Sequence, residues 1–153
     1  MTYSFYSNSS DQTTDLGKAM GKLFKGGELI GITGELGAGK TTFIQGLADG
    51  IGIGQDQYVR SPSFTIINEY KGPLTMYHFD LYRLSTHEEI LDLGYQEYLG
   101  GDGVTVIEWF EKMEDFFKGD LLRLNIEVKN GDSRILKFSC KGVYYRQILK
   151  NLF

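Results

Sequence analysis

The sequence predicts an α/β protein with a mixed, partly parallel sheet flanked by helices and a C-terminal β-hairpin. Three observations support this fold class. A glycine-rich loop joins an apolar run, residues 28–33, to an amphipathic segment that begins near Lys40. Two further apolar runs end in acidic residues, as buried strands beside a phosphate-binding loop do. Near the C-terminus, two alternating segments flank Asn130-Gly131, which is a strong hairpin sequence. Together these patterns predict a P-loop NTPase-type fold.

Length and composition agree with one domain spanning residues 1–153. Hydrophobic residues make up 41% and charged residues 24% of the chain, values typical of a folded globular protein. No apolar run approaches the ~18 residues that a membrane span needs, and the N-terminus lacks the regions of a signal peptide. The one cysteine, Cys140, excludes an intrachain disulfide and is interpreted as a small apolar residue in a strand. We therefore expect a cytoplasmic protein with no membrane partner.

The first third of the chain predicts strands and helices in alternation. Residues 2–7 alternate polar and aromatic side chains, as a short strand does. Residues 11–25 place apolar side chains at helical spacing, and the two glycines that follow end that helix. The run 28–33 is typical of a buried parallel strand, and the next helix begins at about Lys40. Residues 49–56 contain too much glycine for regular structure.

The middle of the chain begins with a stiff loop at residues 59–65. It is rich in hydroxyl groups, and its proline fixes its own φ and biases the preceding Ser61 towards extended geometry. Residues 66–70 and 74–80 then predict two adjacent strands, joined as a hairpin.

A short helix is predicted to begin at Ser85, with Glu88 as the fourth residue of a capping box, and to end near Leu93. The β-branched run 104–107 predicts a buried strand that ends in an acid, Glu108.

The C-terminal quarter predicts a hairpin and a helix. Residues 122–128 and 135–140 alternate in polarity, and the last eleven residues place their apolar side chains on one stripe. That helix docks either on its own domain or on a partner. Residues 129–153, the basic segment, carry six basic residues and one acidic residue, Asp132. This basic strand and helix could dock RNA or an acidic partner. The alternative is a solvated face with no partner.

The glycine-rich loop satisfies the spacing G-x-x-x-x-G-K-[ST] and predicts a phosphate cradle. Glycines let successive backbone N–H groups turn inward, the helix start adds its positive end, and a mobile lysine can follow the terminal phosphates. A threonine hydroxyl suits Mg²⁺. An acid inside the cradle, Glu35, has no evident benefit for an anion site. The candidate nucleotide-binding residues of the loop are Gly34, Glu35, Leu36, Gly37, Ala38, Gly39, Lys40, Thr41 and Thr42.

Two acids at predicted strand ends, Asp80 and Glu108, are candidates to hold the metal or to position the attacking water. The sequence does not separate them in these two roles. Trp109, the one tryptophan, either packs in the core or lies beside the nucleotide.

Other candidates near the site are polar or basic. Arg60 and Arg83 are candidates to neutralise phosphate charge, and Ser61, Ser63 and Thr65 to form a switch that orders on the nucleotide. The two histidines have no partners at metal-ligand spacing, so His78 is interpreted as strand packing and His87 as surface.

The order of these motifs resembles the TsaE (YjeE) family over residues 5–128. The residues that carry the resemblance are Gly34-Glu35-Leu36-Gly37-Ala38-Gly39-Lys40-Thr41-Thr42, Ser61-Pro62-Ser63-Phe64-Thr65 with Asn68-Glu69-Tyr70, His78-Phe79-Asp80-Leu81-Tyr82-Arg83-Leu84, Leu93-Gly94 with Glu97-Tyr98, and Ile107-Glu108-Trp109. Ser63 stands where the family usually has threonine, and Phe110 where many members have proline. The basic segment beyond residue 128 lies outside this pattern.

The resemblance implies a small ATPase that binds ATP and Mg²⁺. It implies that the protein acts with TsaD-like and TsaB-like proteins in the threonylcarbamoyladenosine modification of tRNA and resets that complex rather than modifying tRNA itself. By position, Lys40 and Thr41 bind phosphate and Mg²⁺, and Thr42 lies beside them. Asp80, Glu108 and Trp109 belong to the family's essential set, with Asp80, Glu108 and Lys40 as catalytic candidates.

Three alternatives follow from the same cradle. A small-molecule P-loop kinase needs an acceptor pocket and usually an arginine-bearing lid, and no such lid is evident. A GTPase would need an Asn-Lys-x-Asp element to bind guanine, and the sequence contains none. A nucleotide-gated binding module would have negligible turnover. We expect ATP hydrolysis that is slow in isolation and becomes useful in the partner complex, with tRNA contacted only indirectly.

Overall fold

The computed structural model describes residues 2–153. Strands and helices alternate through the first half of the chain, and a strand pair and a helix follow at the end. The elements are β1 (Thr2–Ser7), α1 (Ser10–Leu23), β2 (Leu29–Thr33), α2 (Lys40–Ile51), β3 (Ile67–Tyr70), β4 (Met76–Asp80), α3 (His87–Asp92), β5 (Val104–Glu108), β6 (Leu121–Val128), β7 (Arg134–Lys141) and α4 (Val143–Leu152), with 3₁₀ turns at Tyr95–Glu97 and Phe110–Lys112. None of the helices in residues 2–153 has the length and apolar character to cross a membrane.

All seven strands form one mixed sheet, in the order β1-β7-β6-β2-β5-β4-β3. The four central strands β6, β2, β5 and β4 run parallel to one another. The outer strands pair antiparallel, β3 with β4 and β7 with both β6 and β1. The predicted fold class, including both hairpins and the partly parallel sheet, is therefore confirmed.

The strand order brings the ends of three parallel strands to one edge of the sheet. Strand β2 pairs with β5, and β5 pairs with β4, so the glycine-rich loop after β2 lies at the same edge of the sheet as the ends of β5 and β4. Asp80 is the last residue of β4 and is directly opposite Glu108, the last residue of β5. Ligand sites of α/β sheets form at this carboxyl edge.

Helices α1 and α2 pack with their backbones almost in contact, which explains several of the chain's glycines. A Cβ atom built on Gly46 would lie 2.1 Å from the carbonyl oxygen of Thr14, and one on Gly50 would lie 2.2 Å from that of Lys18. Any larger side chain would push the two helices apart. The prediction that residues 49–56 are irregular throughout is wrong for residues 49–51, which continue α2, because packing against α1 overrides the low helix propensity of glycine.

The core lies on both faces of the sheet. On one face, helices α1, α2 and α4 cover strand residues such as Ile30, Val106 and Leu124. On the other face, alternate strand residues such as Phe79 and Ile107 pack against Phe110 and the 3₁₀ turns.

The C-terminal helix docks on its own domain, the first of the two predicted alternatives. Tyr145, Ile148 and Leu149 are buried in the first core cluster. The Tyr145 hydroxyl accepts a hydrogen bond from the backbone N–H of Leu29 at 2.8 Å, which links α4 to the start of β2.

Helix α3 begins at His87, two residues later than predicted, and its cap lies one residue after Ser85. The cap is Thr86, whose hydroxyl accepts from the backbone N–H of Glu89, and the Glu89 carboxylate accepts from the backbone N–H of Ser85. Ser85 and Glu88 are therefore not the capping pair. Both registers fit the sequence because Ser85 and Thr86 are adjacent and both are good capping residues.

Candidate functional site

The glycine-rich loop joins β2 to α2 through backbone conformations that favour glycine. Gly37 has φ 78° and Gly39, the N-cap of α2, has φ 105°. Residues with a Cβ rarely adopt such positive φ angles, so the glycines are needed for the loop's shape. With α2 beginning at Lys40, the free N–H groups of its first turn lie at the mouth of the loop.

Lys40 is bound to its own loop. Its Nζ donates to the carbonyl oxygens of Gly34 at 2.5 Å and Glu35 at 2.8 Å, and it lies 4.5 Å from the centre of the Trp109 ring. Burial lowers the pKa of Lys40, and the negative charge of Glu108 partly opposes that shift. The ammonium is thus held where an anion in the loop would meet it.

A chain of hydrogen bonds links the start of α2 to the end of β5. The hydroxyls of Thr41 and Ser61 lie 2.7 Å apart, and Ser61 Oγ donates to Oε2 of Glu108 at 2.9 Å. Because Ser61 donates to the carboxylate, Thr41 donates to Ser61. Ser61 therefore links Thr41, whose hydroxyl is predicted to bind Mg²⁺, to Glu108, one of the two predicted acids.

Asp80 lies beside Glu108 and shares the buried edge of the sheet with it. Its Oδ1 accepts from the backbone N–H of Tyr82 at 2.9 Å. Burial raises the pKa of Asp80, and the neighbouring Glu108 charge adds to the shift, against the lowering effect of the Tyr82 hydrogen bond. Two adjacent buried carboxylates repel each other unless a cation or a proton lies between them.

These groups line a cavity of about 400 Å³ at the edge of the sheet. Most predicted site residues lie in it, and one aromatic residue that was not predicted, Tyr82, lies there too. The cavity is lined by Leu36, Gly37, Gly39, Lys40, Thr41, Thr42, Ser61, Ser63, Asp80, Tyr82, Glu108 and Trp109.

Three predicted loop residues lie outside this cavity. Gly34 and Glu35 line an adjoining cavity of about 470 Å³ that shares Leu36, Tyr82 and Trp109 with the first. Ala38 is buried in the core. Glu35 is exposed and offers its carbonyl to Lys40. An outward side chain explains how an acid is tolerated inside an anion-binding loop.

Trp109 lines the cavity and is half-buried against the second core cluster, so it has features of both predicted alternatives. Its backbone is left-handed, with φ 59°, and its ring faces Lys40. The next residue, Phe110, is fully buried against Gly31, where a Cβ atom would lie 2.4 Å from the Phe110 ring. This packing turns the chain so that Trp109 reaches the loop.

Three predicted candidates do not line the cavity. Arg60 is exposed, Arg83 stacks over the ring of Phe64 at 4.4 Å, and Thr65 donates to Asn68. All three residues are exposed and have their own partners or solvent around them.

Besides Tyr82, two residues that contact the site were not predicted. His78 was interpreted as strand packing, but its Nε2 lies 2.6 Å from Oε2 of Glu108. Its place two residues before Asp80 on one strand was the pattern that could have identified it. Arg134 in the basic segment donates from Nε to the carbonyl oxygen of Ala38 at 2.8 Å, and nothing local in the sequence indicates that contact.

The side chains of the cavity fit a nucleotide with Mg²⁺. The side chains offer an ammonium, hydroxyls and two carboxylates, and the backbone at the start of α2 offers N–H groups. Residues 2–153 contain no cluster of three His, Cys, Asp or Glu side chains placed to bind a metal by themselves. Mg²⁺ is commonly held by one or two carboxylates together with phosphate oxygens, and Asp80 and Glu108 supply the carboxylates of such a set.

Fold and site together define a P-loop α/β protein. A family model described as "Threonylcarbamoyl adenosine biosynthesis protein TsaE" matches residues 7–136. The chain belongs to this TsaE family. The match includes the start of the basic segment, where β7 joins the sheet and Arg134 contacts the loop.

Individual relatives support the assignment. The protein named tRNA threonylcarbamoyladenosine biosynthesis protein TsaE from Bacillus subtilis (strain 168) is 38% identical over 143 residues, which cover 93% of this chain and 88% of that one. The protein of the same name from Treponema pallidum (strain Nichols) is 44% identical over 70% of this chain and 78% of its own. The crystal structure of Bacillus subtilis YdiB superposes with a TM-score of 0.85 at 32% identity, covering 99% of this chain and 94% of that one.

Proposed function

We propose that the protein is a Mg²⁺-dependent ATPase that acts in the threonylcarbamoyladenosine modification of tRNA. The observation that carries this proposal is the hydrogen-bonded chain from Thr41 through Ser61 to Glu108 beside the Lys40 ammonium. It places a hydroxyl, a carboxylate and a cation around one cavity at the mouth of a phosphate-binding loop. The modification pathway is the one named for the relatives from Bacillus subtilis and Treponema pallidum.

Each side chain has a distinct role in this proposal. Lys40 leaves the carbonyls of Gly34 and Glu35 and binds the terminal phosphates. The Thr41 hydroxyl, now bonded to Ser61, would hold Mg²⁺. Glu108 positions the attacking water or the metal's water, and Asp80 completes the acidic edge. Bound Mg²⁺ would supply charge neutralisation for the transferred phosphoryl group.

The contacts of Lys40 and Thr41 bear on the rate. Both groups already make hydrogen bonds of 2.5 to 2.8 Å within the protein, and these bonds must break before the groups can bind phosphate or metal. We therefore propose slow hydrolysis by the isolated chain and faster turnover with TsaD-like and TsaB-like proteins, in a cycle that resets their complex. In this role tRNA is contacted only indirectly.

A second reading, a small-molecule kinase, has less support in the structure. Kinases of this kind place arginines over the transferred phosphate, and no arginine lines the cavity within residues 2–153. Phosphate release without any acceptor substrate separates the two readings.

The test is steady-state release of inorganic phosphate from ATP, with and without the two partner proteins. We expect low turnover alone, an increase with both partners, and dependence on Mg²⁺. Lys40→Ala should bind no fluorescent ATP analogue yet keep its thermal midpoint near that of the wild type, because this ammonium faces the loop rather than the core. Lys18→Ala, which removes a surface pair with Asp49, is the matched control and should behave as the wild type. Normal hydrolysis by Lys40→Ala would contradict the proposal.

A further inference from the structure

His78 lies inside the site and has no part in the scheme above. Its side chain is fully buried, and its Nε2 lies 2.6 Å from Oε2 of Glu108. The strand register explains the contact. His78 and Asp80 project from the same face of β4, and Asp80 pairs with Glu108 on β5.

The hydrogen-bond partners define which nitrogen carries the proton. A carboxylate oxygen accepts, so Nε2 is the donor. Within residues 2–153, Nδ1 is buried and has no hydrogen-bond partner. A proton on Nδ1 would be a buried donor without an acceptor, which is unfavourable. The surroundings therefore favour the neutral imidazole with its proton on Nε2.

Packing alone does not account for an imidazole at this position. An apolar side chain of similar size would leave no unpaired nitrogen in the interior. What the imidazole adds is a rigid N–H group directed at one carboxylate oxygen. Ser61 donates to the same Oε2, and in residues 2–153 neither donor bonds to Oε1. Oε1 is thus the oxygen that is left for the cavity.

We propose that His78 is a positioning residue for Glu108. Its Nε2–H and the Ser61 hydroxyl hold Oε2, so that Oε1 is presented to the metal or water in the cavity. The catalytic consequence rests on the proposed ATPase function, whereas the contact and the tautomer do not.

The kinetic test compares three substitutions. His78→Gln keeps an N–H donor near the position of Nε2, His78→Asn is too short to reach Glu108, and His78→Leu has no donor. We expect kcat for ATP to fall about 10- to 100-fold in the Asn and Leu variants, with KM changed by less than about threefold. The Gln variant should recover most of the lost activity. His87→Gln, a change of the exposed histidine, should leave kcat unchanged.

Thermal midpoints establish that each variant is folded at the assay temperature, and the Gln and Asn pair carries the comparison if His78→Leu does not fold. Retention of kcat by the Asn variant within about threefold, or an equal loss in Gln and Asn, would overturn the inference.

A second measurement needs no nucleotide. The chain has two histidines, so the spectrum of His87→Gln isolates the His78 ring in a ¹⁵N–¹H correlation experiment. We expect a protonated Nε2 and an unprotonated Nδ1, with an Nε2–H resonance that shifts in Glu108→Gln.

The two measurements separate the inference from the proposed function. The expected spectrum in a protein that hydrolyses no ATP supports the contact while the proposed function fails. Protonation at Nδ1, or an Nε2–H resonance that does not shift in Glu108→Gln, would overturn the inference even in an active ATPase.

Discussion

Ser61 donates a hydrogen bond of 2.9 Å to Glu108, although the two residues are 47 positions apart in the chain. One lies in the hydroxyl-rich loop before β3, and the other ends β5. The same Ser61 hydroxyl contacts Thr41 at 2.7 Å. A change in the bonding of Thr41 therefore reaches both the acid and the loop, so the proposed switch segment is already connected to the loop and to Glu108 in this conformation.

Glu108 is expected to act after nucleotide has bound. Glu108→Ala should keep its affinity for an ATP analogue and lose turnover by on the order of 10²-fold or more, as loss of a positioned base does. Analogue titration and single-turnover hydrolysis measure the two effects separately. Loss of affinity together with turnover would instead make Glu108 a metal ligand, and Asp80 would then be the residue that positions water.

Asp80 is expected to destabilise the fold at neutral pH. Its pKa is raised by burial and by Glu108, so the folded state binds a proton more tightly than the unfolded state. The favourable contribution of protonated Asp80 to the free energy of unfolding is fully present below the ordinary pKa of an aspartate. It is lost as pH rises through the raised pKa of the folded state.

Asp80→Asn keeps an oxygen for the Tyr82 N–H and removes the charge. Its thermal midpoint should exceed that of the wild type at pH 7, and the difference should shrink in acid, while ATP turnover falls. A midpoint equal to or below that of the wild type at pH 7 would contradict the proposed cost of this charge.

Arg134 on β7 should stabilise the conformation of the glycine-rich loop through its contact with Ala38. Its Nε donates to the carbonyl oxygen of Ala38 at 2.8 Å, and charged donors to carbonyls contribute about 1.5–3 kcal/mol. Arg134→Ala should raise KM for ATP by about tenfold, which corresponds to about 1.4 kcal/mol, with less effect on kcat. Lys137→Ala on the same strand, where the side chain pairs with Glu127, is the control. An unchanged KM would show that the basic segment does not support the loop.

The glycines between α1 and α2 should be required for folding. Gly46→Ala places a methyl 2.1 Å from the Thr14 carbonyl oxygen, and the helices must separate to relieve it. We expect a loss of stability of about 1–3 kcal/mol, the usual cost of overpacking, measured by urea unfolding. Gly101→Ala, where nothing lies within 4 Å of the added Cβ, should be close to neutral. Equal effects of the two substitutions would argue against close helix packing as the reason for Gly46.

Local patterns predicted the parts of the fold and site that depend on neighbours in the chain. The β2–loop–α2 unit, the two hairpins and the acids at the ends of β4 and β5 all follow from residue order and periodicity. The contacts that complete the site join distant segments. Arg134 and Ala38 meet only because β7 joins the sheet beside β6, and glycine in α2 is favoured by a second helix rather than by its own preference. Such tertiary contacts are not encoded in local spacing.

The most direct test of the ATPase proposal is a crystal structure with Mg²⁺ and a non-hydrolysable ATP analogue. We predict that Lys40 Nζ leaves the carbonyls of Gly34 and Glu35 and contacts the terminal phosphates. The Thr41 hydroxyl should exchange Ser61 for the metal, with Glu108 or Asp80 facing the metal's water. An analogue bound outside this cavity, or phosphates in the loop with Lys40 still on its carbonyl partners, would contradict the account.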